Sequence, residues 1–171
     1  MYKRQELKLI ALSETDGEAV YQMLQEMPAQ ENGFINPMHG KSYGEFRAWL
    51  QSCLADAAQE GLADGWKVPE STYWLFDGNR PVGYGKIRHF LTDKLLEDGG
   101  SIGYAVRPAE RQKGYGTALM RLLLAQCAAL GIPKVLLTIH KDNLPSRKVA
   151  LSNGGVVERT TDKICYIWIA C

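Results

Sequence analysis

The chain has 171 residues, with 20 Lys plus Arg against 19 Asp plus Glu, a formal net charge of +1 and 46% hydrophobic residues. That length fits one domain spanning 1–171, and folding would bury about 70% of the unfolded surface, enough for a core without staples. The near-balanced charge leaves no broad cationic footprint for nucleic acid or an anionic membrane, so neither is expected as a partner.

Residues 6–12 read as a strand, and Ser13-x-x-Asp16 predicts a helix cap ahead of Val20, Leu24 and Met27 at helical spacing. A second capping pattern, Ser42-x-x-Glu45, precedes Phe46, Trp49, Leu50, Cys53, Leu54 and Ala57 along one helical face. Between the two helices, residues 31–37 mix polar and aromatic groups in a loop that is a candidate substrate wall. After the Gly- and Pro-bearing stretch 61–70, whose Trp66 is a candidate for lining an acceptor pocket, Thr72 to Phe76 reads as a strand. Asp77-Gly78-Asn79-Arg80 then turns the chain into a strand from Pro81 to Phe90, and a third runs from Ser101 to Arg107, completing an antiparallel meander. From Gly114 to Leu130 the apolar residues Ala118, Leu119, Leu122, Leu123, Cys127 and Leu130 recur at three and four, which predicts a helix stopped by Gly131 and Pro133. Val135 to Ile139 reads as a buried strand, a short helix starts near Pro145 and ends at Asn153-Gly154-Gly155, and Ile164 to Ile169 is a last strand. This order predicts an α/β protein with a mixed, mostly antiparallel sheet and helices on its faces.

The stretch from Val106 to Thr117 lies between a strand and the long helix. A helix start presents unpaired N–H groups and the positive end of the dipole, and glycines let an anion approach the backbone. With Arg111 and Lys113 beside it, a pyrophosphate is the natural ligand. The phosphate-binding pattern G-x-x-x-x-G-K-[ST] is absent, and G-x-G-x-x-G fails twice: Leu119 takes the third place after Gly114 and Gly116, and Arg88 takes it after Gly83 and Gly85.

Arg111-x-x-Gly114-x-Gly116 resembles the R/Q-x-x-G-x-G/A acyl-CoA signature of the GNAT superfamily of N-acetyltransferases, and the order of elements is similar to that fold over nearly the whole chain. Asn143-x-x-Ser146 followed by Asn153-Gly154-Gly155 resembles the superfamily's next motif. The segments Tyr73-Trp74-Leu75, Gly99-Gly100-x-Ile102-Gly103-Tyr104-x-Val106-Arg107-Pro108 and Lys141-Asp142-Asn143 are similar to a bacterial group of uncharacterised predicted acetyltransferases. The resemblance implies acetyl-CoA as cosubstrate, no metal, and direct transfer to a primary amine in a ternary complex. Backbone groups of Ala105 and Val106 would hold the pantetheine arm, and Arg111, Gln112, Lys113, Gly114, Tyr115, Gly116 and Thr117 would surround the pyrophosphate. Asn143 and Ser146 would border the arm's far side.

An amine near the lysine reference pKa of about 10.4 must shed a proton before attack. Many members of the family use a carboxylate on the strand before the pyrophosphate loop, where this chain has Ile102 and Gly103, and a tyrosine seven residues beyond the Asn, where it has Ala150. Candidates to move the protons are therefore His89, Glu31 and Glu97 as bases and Tyr104 and Ser146 as donors. Each has an ordinary structural role as well: a strand-end hydrogen bond for His89, solvated loop charge for the two glutamates, half-buried sheet for Tyr104 and a helix cap for Ser146.

His39 and His140 lack a ligand cluster for a metal, and Trp49 and Trp74 read as core. Cys53, Cys127, Cys165 and Cys171 show no C-x-x-C spacing, and no apolar run reaches signal-peptide or membrane-spanning length, which points to a cytoplasmic protein with reduced thiols. The expected activity is acetylation of a small-molecule or peptide amine. A non-catalytic acyl-CoA binding or sensing domain is the alternative, and a nucleotide-dependent oxidoreductase a third reading carried only by strand, Gly114-x-Gly116 and helix. The apolar strand 164–169 could pair across the edge of a homodimer.

Overall fold

In the computed structural model, which describes residues 6–58 and 67–171, the order is β1 (Leu7–Ala11), α1 (Glu18–Glu26), β2 (Gln30–Glu31), β3 (Phe34–Ile35) and α2 (Tyr43–Ala58). Then follow β4 (Glu70–Asp77), β5 (Arg80–Arg88), α3 (Asp93–Glu97), β6 (Ile102–Val106), a 3₁₀ turn at Pro108–Glu110 and α4 (Tyr115–Ala129). The chain closes with β7 (Lys134–His140), α5 (Leu144–Ser152), β8 (Val156–Thr160) and β9 (Ile164–Ala170). Trp66 lies outside the described residues.

The expected meander is present as β4, β5 and β6, with β1 added beside β4. The expected α/β class with a mostly antiparallel sheet and helices on its faces is present, and two details refine it. Every strand ladder among the described residues is antiparallel, and the strands divide into a four-stranded sheet, β1-β4-β5-β6, and a three-stranded one, β7-β9-β8. The sheets meet where Ser101 N–H donates to the Leu136 carbonyl at 2.8 Å and Leu136 N–H donates to Ser101 Oγ at 3.0 Å. Gly100, just before this junction, has φ +62°, and a Cβ there would sit 2.5 Å from the Leu136 oxygen. Only glycine satisfies both conditions.

Alternation along β4 sends neighbouring side chains to opposite faces. Trp74, with Tyr84 of β5, packs under Met23 and Leu24 of α1 and Phe46 and Leu50 of α2, all fully buried. Tyr73 and Leu75 face the other way, against Leu119, Leu123 and Cys127 of α4 and against Val135, Leu137 and Ile167 of the second sheet. Helices thus cover both faces of the first sheet. Gly83 and Gly85, which fit no dinucleotide pattern, lie directly beneath α4: a Cβ would come within 3.0 Å of Leu119 and 2.9 Å of Leu123. Their missing side chains let the helix settle close to β5.

The two capping patterns end differently. Ser42 N–H donates to Glu45 Oε2 at 2.7 Å and Glu45 N–H to Ser42 Oγ at 3.1 Å, a full capping box at α2. Ser13 and Asp16 do not cap α1. Asp16 Oδ2 accepts from Ser13 N–H and from the Trp74 indole, both at 2.8 Å, and the helix begins after Gly17 with no side-chain cap. The loop expected at 31–37 contains the small β2–β3 hairpin, turned by Asn32 (φ 50°) and Gly33 (φ 82°), the dipeptide that a type I′ turn favours. Helix α3, too short for periodicity to reveal, is capped by Thr92, whose side chain accepts from Leu95 N–H.

The strand expected as a dimer edge, β9, is the middle strand of its sheet, flanked by β7 and β8. Its backbone groups are committed on both sides, so it offers no edge to a second copy. The thiols of Cys127 and Cys165 are buried, Cys171 is exposed, and burial pushes those of Cys53 and Cys127 up to about 12. Among the described residues no helix is long and apolar enough to cross a membrane.

Replacing Gly100 by alanine combines left-handed strain with a backbone collision, and is expected to lower stability by about 2–4 kcal/mol. A urea melt that shows less than half of that loss would mean the junction can move apart without penalty.

Candidate functional site

Beyond the Ser101–Leu136 junction no ladder joins β6 to β7, and a cleft of about 1250 Å³ opens between them. Two ladder bonds, Arg107 N–H to the Val82 carbonyl and Arg88 N–H to the Ser101 carbonyl, fix the phase of β6. In an antiparallel ladder without a bulge, Ser101, Gly103, Ala105 and Arg107 then turn their backbone groups to β5, and Ile102, Tyr104 and Val106 turn theirs to the cleft. The expectation for Ala105 is corrected accordingly: the cleft-facing backbone beside that of Val106 belongs to Tyr104.

At the far end of β6 the buried Arg107 guanidinium bonds to both oxygens of Glu26, each at 2.5 Å, and to the Pro81 carbonyl at 3.1 Å. This fixes where the next loop starts. Gln112 (φ 63°) and Gly114 (φ 84°) are both left-handed, so the backbone curls around the start of α4 in a form that makes anion-binding concavities. The Tyr115 hydroxyl, bonded to an Asp77 carboxylate oxygen, ties the first turn of α4 to the end of β4. The two cations of the loop already hold carboxylates: Lys113 meets Glu110 at 2.9 Å, and Arg111 meets Glu31 at 2.6 Å while its Nε donates to the Val106 carbonyl. Glu110 also pairs with Arg80, and these partners hold its carboxyl below the usual range.

The opposite wall is the start of α5. Asn143 caps this helix, its Oδ1 accepting from Ser146 N–H at 3.4 Å, so Asn143 is the cap and Ser146 is not. The Ser146 hydroxyl instead meets the Tyr104 hydroxyl at 2.9 Å, which links the two walls, and burial pushes the Tyr104 phenol up. The β2–β3 hairpin reaches across the same space. Besides Glu31 on Arg111, it lays the Phe34 ring 3.4 Å from where a Gly103 Cβ would stand and brings Gly33 up to the His140 ring.

The residues therefore separate. Glu31, Tyr104, Ala105, Val106, Asn143 and Ser146 line the cleft together with Arg111, Gln112, Gly114, Tyr115, Gly116 and Thr117, whereas Lys113, His89 and Glu97 do not. His89 Nε2 bonds to Ser71 Oγ at 2.7 Å, its strand-end role, and Glu97 is exposed on α3. The positions that lack the family's usual acid and base are occupied by packing: Ile102 and Ala150 are core, and Gly103 leaves room for Phe34. Lys86 of β5 lines the cleft and was not singled out from the sequence. A lysine in the otherwise apolar run Val82 to Ile87 was the available signal.

An open strand edge running into an anion-receiving helix start is the arrangement of an acyl-CoA-dependent acyltransferase. The sequence profile of the Acetyltransferase (GNAT) domain matches residues 6–156, and the chain belongs to this family. Similar solved structures include the ribosomal L7/L12 α-N-protein acetyltransferase RimL in complex with coenzyme A. It has 18% identity and TM-score 0.70, covering 96% of this chain and 93% of that one. The N-acetyltransferase PseH of Campylobacter jejuni has 12% identity and TM-score 0.62, covering 96% and 97%. The spermidine/spermine N-acetyltransferase SpeG of Vibrio cholerae has 13% identity and TM-score 0.61, covering 96% and 95%. No curated protein matches the sequence.

The Arg107 bond holds the Glu26 carboxyl below its ordinary value of 4.5, so the pair's contribution is present above that pH and is lost as pH falls through the lowered value. Glu26 is half-exposed, and Glu26→Gln is therefore expected to cost about 1–2 kcal/mol at pH 7, less than a fully buried pair. Parent and variant melts should converge once the pH lies below that lowered value. A difference that persists at that pH would show that charge pairing is not the cause.

Proposed function

We propose that this chain is a single-domain cytoplasmic N-acetyltransferase that uses acetyl-CoA to acetylate a primary amine of a small molecule or peptide by direct transfer in a ternary complex. The observation that carries this reading is the open edge of β6, which ends at the curled backbone before α4. The cleft-facing N–H and carbonyl of Tyr104 and the N–H of Val106, whose carbonyl already accepts from Arg111, suit an arm that carries amides, and the amides from Gln112 to Thr117 suit a pyrophosphate. Acetyl-CoA would supply the acetyl group as a thioester.

Within that site the Tyr104 backbone N–H would polarise the carbonyl that is attacked. Glu31, which lines the cleft with Asp98 and Glu110 and is paired with Arg111, would draw the ammonium proton through water. The Tyr104–Ser146 pair, which spans the two walls, would be the proton donor, and the raised phenol keeps its proton through the neutral range. A thiolate with a pKa of order 8.5 leaves with modest help, so this pair would contribute at the low end of acid catalysis, about 10²-fold or less.

A second reading, a non-catalytic acyl-CoA binding domain, is favoured by Ile102, Gly103 and Ala150, since packing and not chemistry occupies all three places. Thermal unfolding with acetyl-CoA, CoA and NAD in parallel separates the readings, with Gly114→Asp placing negative charge at the loop. A ligand at a hundred times its Kd adds about 2.7 kcal/mol, so both CoA forms should raise the midpoint of the parent and not of the folded variant. A rise with NAD alone would favour the oxidoreductase reading, and no rise would remove the acyl-CoA site. On any amine that is acetylated, Ser146→Ala and Tyr104→Phe should each lower kcat about tenfold or more with little change in KM. CoA binding without turnover on any amine would identify the binding domain.

A further inference from the structure

Of the cations that line the cleft, Arg111 pairs with Glu31, and Arg88 lies 3.7 Å from Glu70 and donates to the Gly99 and Gly100 carbonyls. Arg147, which donates to the Lys141 carbonyl, and Lys148, which is exposed, have no carboxylate in ion-pair reach among the described residues and stand on α5 at the opposite wall. Lys86 differs from both in being half-buried against aromatic rings. Its Nζ donates to the Ile35 carbonyl at 2.8 Å and sits 4.8 Å and 5.1 Å from the Phe34 and Tyr84 ring centroids. Among the described residues no carboxylate lies within ion-pair reach of it. An ammonium has three donors, and even half-burying one among aromatic rings without a counter-ion carries a cost. That cost shows in the lowered pKa of Lys86, where desolvation outweighs the more distant Glu70.

Its place in the fold gives the charge a use. Lys86 faces Gly103 across the β5–β6 ladder, three residues or about 10 Å back along β6 from Val106, where the chain leaves for the loop before α4. The hairpin residues Phe34 and Ile35 fold over it. Lys86 therefore stands at the end of the cleft away from the anion-receiving loop, where an acceptor would enter.

We propose that Lys86 is the specificity-determining residue for the acceptor, its ammonium binding a carboxylate that the amine substrate carries. This rests on the N-acetyltransferase reading. The carboxylate completes the ion pair that the protein leaves open, and it positions the amine without taking part in the transfer. Two sources present that chemistry, the α-carboxylate of a free amino acid and an acidic side chain next to a peptide amino terminus. A polycation of the spermidine kind would meet like charge at this point and be turned away.

The test uses the full chain with saturating CoA, monitored by thermal shift, and with acetyl-CoA, monitored by thiol release. One arm compares free amino acids with their carboxamides, a second compares Ala-Asp with Ala-Asn peptide amides, and spermidine is included in both. In the parent, the carboxylate member of at least one arm should bind about tenfold more tightly than its amide, with any turnover differing in KM and not in kcat. Lys86→Met, which keeps the stem between the rings, should abolish the preference, and Lys86→Arg should retain it. Both variants should keep the parent's shift with CoA. Equal response to acid and amide, no response to any member, a preference for spermidine, or a preference that survives Lys86→Met would each overturn the proposal. Failure of CoA itself to shift the parent would overturn the acetyltransferase reading beneath it, so the two failures are distinguishable.

Discussion

The architecture turns on two hydrogen bonds between Ser101 and Leu136, the place where a four-stranded sheet and a three-stranded sheet touch. Because β6 and β7 share no ladder beyond that point, β6 keeps a row of backbone donors and acceptors on its outer edge. Edge groups of this kind usually invite another strand. Here α5, the β2–β3 hairpin and the loop before α4 wall the edge in, so a chain-like molecule can reach it and a sheet cannot.

Each wall of the cleft is set by a neighbour that the packing requires. Arg107 ties the end of β6 to α1 through Glu26, and Tyr115 ties the start of α4 to β4 through Asp77. Gly83 and Gly85 let α4 lie low on β5, which sets the height at which its first turn meets the cleft. Phe34 lies at contact distance over Gly103 without requiring its bareness, 3.4 Å from where a Cβ would stand. With no carboxylate at that strand position, the proton path must be built from other residues.

The sequence carried the order of elements well because its strands and the 115–129 helix are long and periodic. It carried local contacts less evenly. Ser42 and Glu45 form the box their spacing suggests, while the same spacing at Ser13 and Asp16 is diverted by the Trp74 indole, 58 residues away. The Asn32-Gly33 turn was legible from its dipeptide alone, yet the two-residue strands it joins are too short for alternation to show. The exchange of Ala105 for Tyr104 as the cleft-facing backbone is a matter of ladder phase, which no single strand encodes. His89 and Glu97 fell away for a similar reason: being titratable says nothing about which side of a strand or helix faces the cleft. Lys86 could have been found by asking why a charge interrupts an apolar strand.

The ion pairs around the loop before α4 bear on how anything anionic reaches it. Arg111 is paired with Glu31, and Glu110 is shared between Lys113 and Arg80, so the loop projects a weaker long-range positive field than its composition suggests. Diffusional steering falls with screened or balanced charge. Capture at this site therefore leans more on short-range amide geometry, and the association rate of a polyphosphate should fall less steeply with ionic strength than the loop's cations alone would give.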